Sequence, residues 1–209
     1  MNFTKKNYKK YITEAAEEQK EESLVPAPKD RAETLKATYA AKKDINQQDI
    51  VDLLNVAIVD ELLAAFNYFS SFALSKTEGK ADFDPEFHAH YQEELGHAEM
   101  LVQRINELGS PVMTISIKNY CELNSVGDRW QQQKEQPSLE MLKNRRDEEI
   151  DAVSFYKFIL QMLDRMKNET KNWDSTTEQL VKKILADEEE HLYDLTQLLV
   201  QYEGGTENA

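Results

Sequence analysis

The chain has 209 residues, with 25 lysines and arginines against 39 aspartates and glutamates, which gives a net charge of −14. This length fits one domain with a short appendage, and 6 glycines and 5 prolines are too few for a turn-rich all-β fold. The negative charge disfavours nucleic acid as the main partner of the folded domain and favours a protein that handles cations.

The cysteine content and the hydropathy of the chain indicate in which cellular compartment the protein is expected. Cys121 is the single cysteine, so a disulfide framework and a CxxC metal site are both excluded. We therefore expect a reducing environment and a cytoplasmic protein. No run of about 18 apolar residues occurs, so we expect no membrane association.

Residues 1–45 differ in composition from the rest of the chain, because large aliphatic residues are sparse and charged residues are clustered. We interpret them as a mobile or peripheral N-terminal extension with helical turns near 8–22 and 30–43. Four lysines lie close to the start of the extension, Lys5, Lys6, Lys9 and Lys10. We favour a solvated tail, and the alternative is a lysine arm that contacts DNA or a neighbouring subunit.

Helical periodicity begins at residue 46. Asn46 and Asp49 predict the start of a first helix that runs to about Thr77. Asp84-Pro85 predicts the start of a second helix, which Gly109 and Pro111 end.

The second half repeats this arrangement after a segment, 110–137, that lacks helical periodicity. Pro137-Ser138 predicts a third helix, and Ser175 with Glu178 predicts a capping box that opens a fourth helix ending near Tyr202, before Gly204-Gly205. Two tight connections and one long one predict an all-α, ferritin-like four-helix bundle over 46–203, with a long crossover between helices 2 and 3 and a tail at 204–209.

Two Glu-x-x-His pairs provide the clearest chemical signal. Glu94 with His97 and Glu188 with His191 place a carboxylate and an imidazole on one helix face, where both can reach a single metal ion. Iron, manganese and zinc all accept this ligand set.

The first and third helices carry a second duplicated pattern. Glutamate, alanine and tyrosine recur at offsets 0, 3 and 7 in Glu61-Ala64-Tyr68 and in Glu149-Ala152-Tyr156. Glu149 follows Glu61 by 88 residues and Glu188 follows Glu94 by 94, so the two halves repeat with nearly one period.

Apolar residues share the helix faces of these acids, so the acids are expected to point into the bundle. Burial of an isolated charge costs several kcal/mol, so four inward carboxylates and two imidazoles require a cation. We expect Tyr68 and Tyr156 to donate hydrogen bonds to ligand carboxylates on facing helices. His88 and His90 are interpreted as surface residues, with a secondary entry site for metal as the alternative. The remaining acids are interpreted as facing solvent or a cage interior; these acids are Glu93, Glu99, Glu148, Asp187, Glu189 and Glu190.

With these residues in place, 46–203 resembles the ferritin-like di-iron superfamily. The segment Glu61-Leu62-Leu63-Ala64 with Tyr68-Phe69 is similar to the first-helix signature of bacterioferritins and of Dps-like ferritins with a bacterioferritin-type centre. The resemblance implies two irons per subunit, with manganese or zinc as possible substitutes. It also implies that Glu61 and His97 hold one iron, that Glu149 and His191 hold the other, and that Glu94 and Glu188 bridge them.

Several departures from these families refine the expectation. Leu95 occupies the position of the haem-binding methionine of bacterioferritins, so we expect no haem. We expect no fifth short helix after Gly204-Gly205, which favours a Dps-like shell of twelve subunits over one of twenty-four. Dps-like relatives often carry a cysteine pair near the centre, and with Cys121 alone we expect no cysteine-dependent redox step. We expect apolar residues on the outer helix faces to be covered in that shell, among them Phe66, Phe83, Phe87 and Trp173.

The leading function is a ferroxidase and iron-storage or detoxification protein that oxidises Fe(II) with H2O2 or O2 and deposits Fe(III) in a cage. Two alternatives remain open. One is a non-storage di-metal peroxidase or manganese catalase of the rubrerythrin kind. The other is a DNA-associating protective protein that uses the N-terminal lysines.

Overall fold

The computed structural model describes residues 28–78, 84–112, 138–171 and 174–206, and it contains five helices and no strand within them. The expected helical turns at 8–22 and most of the segment 110–137 lie outside these residues. The helices are α1 (Pro28–Ala41), α2 (Gln47–Glu78), α3 (Asp84–Glu107), α4 (Ser138–Thr170) and α5 (Ser175–Thr206).

The last four helices form a four-helix bundle, as the sequence predicts. Helix α2 packs along α3 and α4 packs along α5, and the two pairs meet through α2 against α4 and α3 against α5. The long connection between α3 and α4 joins the two pairs. A closed ring of four helices places the middle of each helix next to the bundle axis.

Capping residues set two of the helix ends that matter for this arrangement. The Asn46 side chain accepts from the Asp49 amide at 3.2 Å while Asp49 accepts from the Asn46 amide at 3.0 Å, which is the reciprocal cap predicted for α2. Gly109 has φ of 71°, and the Ser110 and Gly109 amides donate to the carbonyls of Ile105 and Asn106. This is a Schellman ending of α3, at the predicted glycine.

The start and end of α5 differ from expectation. Asp174, rather than Ser175, is the cap, because its carboxylate accepts from the Thr177 amide at 2.9 Å. The helix also continues past Gly204-Gly205 to Thr206. Two glycines disfavour a helix by about 1 kcal/mol each, which is too little by itself to stop a long helix that is already formed.

Helix α1 packs on α4, within the segment interpreted as an extension. Tyr39 and Ile45 are 6% and 0% exposed, and the Tyr39 ring lies edge-on to Phe158 at 6.0 Å between centroids. Arg165 of α4 donates to the carbonyl oxygens of Tyr39 and Lys42 at 2.8 and 2.9 Å, so a cation satisfies the carbonyls at the end of α1.

Of the aromatic residues expected on the outer faces, Phe66 is 38% exposed, whereas Phe87 is fully buried. Phe87 contradicts the expectation because it packs beside Tyr68, with ring centroids 6.1 Å apart. Phe83 and Trp173 lie outside the described residues.

Candidate metal centre

The six predicted ligands meet at the middle of the bundle. One comes from α2, one from α4 and two each from α3 and α5, and every one is at most 3% exposed. Each Glu-x-x-His pair presents both side chains inward because a three-residue step nearly completes a helical turn. The six residues are Glu61, Glu94, His97, Glu149, Glu188 and His191.

These residues form two overlapping groups of possible ligands. In each group one atom from every member lies within 4.8 Å of the others. Glu94 and Glu188 belong to both groups, and each outer glutamate and histidine belongs to one. The groups are Glu61, Glu94, His97, Glu188 and Glu94, Glu149, Glu188, His191.

The His97 ring has its Nδ1 atom directed at the carboxylates. Nδ1 lies 3.2 Å from Glu61 Oε2, 3.1 Å from Glu94 Oε2 and 3.0 Å from Glu188 Oε1. One ring nitrogen therefore faces three carboxylates from three helices.

The His191 ring adopts the equivalent arrangement. Its Nδ1 lies 3.3 Å from Glu94 Oε1 and 3.5 Å from Glu188 Oε2. The two histidine rings are nearly parallel, with an angle of 27° and 6.1 Å between centroids. The two central glutamates thus lie between the histidines of the two halves.

Each tyrosine bonds to the lone glutamate of the other half. The Tyr68 hydroxyl donates to Glu149 Oε1, and the Tyr156 hydroxyl donates to Glu61 Oε1. Both tyrosines are 1% exposed. Each hydroxyl occupies one oxygen of its glutamate and restricts the orientation of that carboxylate.

Two acids outside the predicted set hold the far nitrogens of the histidines. His97 Nε2 lies 3.1 Å from Asp187 Oδ2, and His191 Nε2 lies 2.8 Å from Glu93 Oε2. Each acid directly precedes a central glutamate and reaches the histidine of the opposite half. An acid on one ring nitrogen leaves the other directed at the metal position, as in many metal sites.

Sequence reasoning interpreted Asp187 and Glu93 as facing solvent or a cage interior. Their carboxylates are indeed partly accessible, with side-chain exposures of 34% and 55%. The duplicated register contained a usable signal, since both Glu-x-x-His pairs are preceded by an acid.

Glu148, the residue before Glu149, belongs to neither group of possible ligands. It accepts from Asn67 at 3.3 Å and pairs with Arg145 at 2.7 Å. Glu189 pairs with Lys157 at 2.7 Å, while Glu99 and Glu190 are exposed. The solvent-facing interpretation therefore describes Glu99, Glu189 and Glu190.

His90 contradicts the expectation of a surface position, whereas His88 is exposed. His90 is 2% exposed, and its ring stacks on His191 with 4.1 Å between centroids. It follows Phe87 by three residues and precedes Glu94 by four, so it shares the inward face of α3.

The carboxyl groups differ in pKa according to position. Burial, together with repulsion from Glu94 and Glu188, raises the pKa of Glu61 and of Glu149 well above its usual value. Burial also acts to raise the pKa of Glu188, but the close imidazoles of His191 and His97 lower it to about 2. The outer carboxyls therefore hold protons more readily than the central ones.

The two histidines are shifted in the opposite direction to an ordinary buried imidazole. Burial acts to lower the pKa of His191, but the close carboxylates of Glu188 and Glu94 raise it to about 12. Burial also acts to lower the pKa of His97, but the close carboxylates of Glu188, Glu61 and Glu94 outweigh it and raise the pKa. Two ionised glutamates and two imidazolium ions leave these four groups electrically neutral.

Several ligand atoms lack hydrogen-bond partners, which tests whether a metal fits. Glu94 Oε1, Glu188 Oε1 and His191 Nδ1 are buried without a hydrogen bond in the described part of the chain, although opposite charges lie close by. A buried polar atom without a partner costs about 1–3 kcal/mol. Cations between these atoms would use those lone pairs, so the donor set fits two first-row transition ions.

Comparisons with known proteins agree with this architecture. The family model described as Ferritin-like domain matches residues 51–204. A structure of the bacterioferritin-related protein from Bacteroides fragilis, described as a dodecameric thioferritin, aligns with a TM-score of 0.61 and 26% identity over 86% of this chain and 98% of that one. Rhodobacter capsulatus bacterioferritin, described with a metal-free dinuclear site and haem iron, aligns with a TM-score of 0.59 and 22% identity over 76% of this chain and 88% of that one.

No curated protein sequence matches the chain significantly. Within the described residues, no helix has both the length and the apolar character that crossing a bilayer requires. The family match covers most of the bundle and all six inward residues, so the chain belongs to the ferritin-like domain family.

Proposed function

We propose that this chain is a ferroxidase that binds two Fe(II) ions per subunit, oxidises them with H2O2 or O2 and passes Fe(III) to storage in a protein cage. The observation that carries the proposal is the pair of four-residue groups sharing Glu94 and Glu188. In this proposal Glu61 and His97 hold one iron, Glu149 and His191 hold the other, and the shared glutamates bridge them.

The ligand set suits redox chemistry on iron. Four carboxylates and two imidazoles accept both Fe(II) and Fe(III), because hard oxygen donors bind the higher charge well. Each Fe(II) substrate gives up one electron, so two of them with two protons reduce one H2O2 to two waters. Manganese and zinc fit the same donors.

The protein's own contribution is to orient the ligands and exclude bulk water. Tyr68 and Tyr156 hold one oxygen of each outer glutamate, and Asp187 and Glu93 hold the far nitrogen of each histidine. The near-complete burial of the six ligands lowers the local dielectric and strengthens their interaction with a cation.

Titration with Fe(II) under anaerobic conditions, followed by stopped-flow addition of H2O2 or O2, tests the proposal. We expect two tight Fe(II) ions per subunit in the wild type and neither ion bound tightly in Glu94→Ala or His97→Ala. Glu99→Ala is the control, because Glu99 is an exposed acid on the same helix. Two tight ions in both ligand variants would show that the assignment is wrong.

We further propose a closed homo-oligomeric shell, with twelve subunits favoured over twenty-four. The Bacteroides fragilis relative is described as dodecameric. Phe66 and Phe69 of α2 are 38% and 48% exposed, and Leu95 lines an apolar groove between α2 and α3 with Ile58 and Leu62. Exposed apolar surface of this kind is buried when subunits associate.

We also propose that the purified protein carries no haem, since Leu95 supplies no thioether to iron. An absorption spectrum of freshly purified protein checks this, and a Soret band would contradict it. Cytoplasmic location and the minor role of DNA binding through the N-terminal lysines are part of the same proposal. Salt-sensitive DNA binding that is lost on deletion of residues 1–12 would contradict the latter.

A further inference from the structure

His90 is a buried imidazole that the dinuclear centre does not use. It is 2% exposed, it stacks on His191, and it meets the Tyr68 ring edge-on at 5.0 Å between centroids. Its Nδ1 atom is buried and has no hydrogen-bond partner among the described residues. A large apolar side chain at this position would avoid that cost, so the histidine calls for a chemical explanation.

Two carboxylates lie close to this ring. Glu86 lies one turn earlier on α3, Asp194 lies on α5, and one ligand atom from each of the three residues lies within 4.8 Å of the others. His90 Nε2 is 3.7 Å from Asp194 Oδ2, which is too long for a hydrogen bond. Two ligands bonded at about 2.1 Å to a tetrahedral ion are about 3.4 Å apart, which is close to this spacing.

The internal duplication provides an independent comparison. The shift of 94 residues that relates Glu94 to Glu188 places Ile184 at the position equivalent to His90. Ile184 is fully buried. The same shift pairs Glu86 with Leu180 and Asp194 with Met100, and both of these pack against the main apolar core.

The two ends of the dinuclear centre therefore differ in chemistry. At the His97 end the three equivalent positions are apolar and complete the core, whereas at the His191 end all three carry metal-ligating groups. A structural role for His90 would be served as well by an aliphatic residue, as Ile184 demonstrates in the other half.

We propose that Glu86, His90 and Asp194 form a third metal site, for a divalent first-row transition ion, beside His191. One imidazole with two carboxylates suits Fe(II), Mn(II) or Zn(II). His90, Glu93 and His191 form another group that could hold a metal ion. We do not place the third ion there, because Glu93 and His191 already bond to each other at 2.8 Å.

The site connects solvent with the buried centre. The Asp194 side chain is 35% exposed while the His90 side chain is 3% exposed, so an ion there has carboxylate on the open side and imidazole on the inner side. The existence of the third site does not depend on the ferroxidase reaction. We assign it the role of the position from which Fe(II) reaches the His191 half of the centre, and this role rests on the proposed function.

Zn(II) soaked into crystals of the full chain, with anomalous difference maps at the zinc edge, tests the site. We expect three peaks per subunit in the wild type and in His88→Ala, which removes an exposed histidine from the same helix. In His90→Leu and Asp194→Asn we expect the third peak to be lost and the two central peaks to remain. Equilibrium dialysis should show the same change, from three tightly bound Zn(II) per subunit to two.

The outcomes separate this proposal from the ferroxidase assignment. Only two peaks in the wild type, or a third peak that persists in both site variants, would overturn the third site. A third peak without the central two would overturn the dinuclear centre and leave the third site standing. His90→Leu changes a buried residue and could disturb folding, whereas Asp194 is partly exposed, so Asp194→Asn tests the site independently. Circular dichroism checks that both variants keep their helices.

Discussion

Asp187 and His97 lie on facing helices, and Asp187 Oδ2 is 3.1 Å from His97 Nε2. The residue after Asp187 is Glu188, whose carboxylate lies 3.0 Å from Nδ1 of the same ring. Two consecutive acids on α5 therefore approach one imidazole from opposite sides. In the proposed centre the outer acid would fix the ring and the inner acid would share its metal position.

The first prediction concerns this pairing and its counterpart, Glu93 with His191. Asp187→Asn and Glu93→Gln each weaken the acceptor on a histidine, so we expect metal affinity to fall about 10- to 100-fold at one of the two central positions. Anaerobic titration with Fe(II) measures this. Glu189→Gln is the control, because Glu189 pairs only with exposed Lys157. Unchanged affinity in both acid variants would contradict a positioning role.

The second prediction follows from the protonation of the metal-free centre. The raised pKa values of Glu61 and Glu149 favour protonated carboxyls, and those of His97 and His191 favour protonated imidazoles. Metal binding needs carboxylates and neutral imidazoles, so loading two ions should release protons. The affinity for metal should therefore fall as the pH falls.

Calorimetric titration with Zn(II) in buffers of different ionisation enthalpy counts these protons. A slope that corresponds to net proton release is expected at pH 7. A slope near zero would show that the ligands are already deprotonated in the metal-free protein.

The third prediction concerns the tyrosine hydroxyls. Tyr156→Phe removes the donor to buried Glu61, so we expect metal-free protein to lose about 1–2 kcal/mol of unfolding free energy. Tyr68→Phe should act similarly through Glu149. Urea denaturation measures both effects. Tyr193→Phe is the control, because Tyr193 is 62% exposed and its hydroxyl should contribute little to the unfolding free energy. Equal effects in all three variants would contradict the assigned hydrogen bonds.

The fourth prediction concerns the start of α5. Asp174 caps the helix and pairs with Arg104 at 2.8 Å, so Asp174→Ala should cost about 1–2 kcal/mol, while Ser175→Ala should cost little. Burial acts to raise the pKa of Asp174, but hydrogen bonds from Thr177 and Arg104 lower it below 3.8. The stabilisation is thus complete above the unfolded-state pKa and is lost as pH falls through the folded-state value.

Urea denaturation at pH 7 and at pH 3 measures this contribution. The difference between wild type and Asp174→Ala should be smaller at the lower pH. If Ser175→Ala lowered the unfolding free energy more than Asp174→Ala, Ser175 would be the capping residue, as the sequence pattern indicates.

The fifth prediction concerns assembly. Twelve copies of the 24.2 kDa chain would give about 290 kDa and twenty-four would give about 580 kDa. Light scattering at micromolar concentration distinguishes them, and we expect the smaller value. A species of one or two subunits would contradict storage and favour a soluble di-metal peroxidase or catalase.

Periodicity and capping residues were sufficient to predict the four bundle helices. Apolar residues at three- and four-residue steps define a helix face, and Asn46 and Gly109 act through local backbone geometry that sequence alone specifies. The spacing of each Glu-x-x-His pair likewise determines that both side chains share a face. The structure brings the six proposed ligands together for this reason.

Contacts between helices were less accessible to sequence reasoning. Asp187 and Glu93 lie one residue, or about 100° around the helix, from the central glutamates, so a single helix indicates a solvent-facing position. Their bonds to histidine depend on the distance to the facing helix. His90 was placed at the surface because its burial depends on how Phe87 and α5 pack around it.

The six proposed ligands come from all four bundle helices and meet near the middle of each, so each bound ion would tie together segments that are far apart in the sequence. The metal-free bundle keeps buried carboxyls and imidazolium ions where an ordinary core would be apolar, and its centre is therefore its weakest layer. Iron would bind this layer in the folded state only, and each bound ion would therefore increase the unfolding free energy by mass action. Amide hydrogen exchange at the middle turns of α2 to α5 would then slow as iron becomes abundant, and the lifetime of the protein against proteases would follow the iron supply.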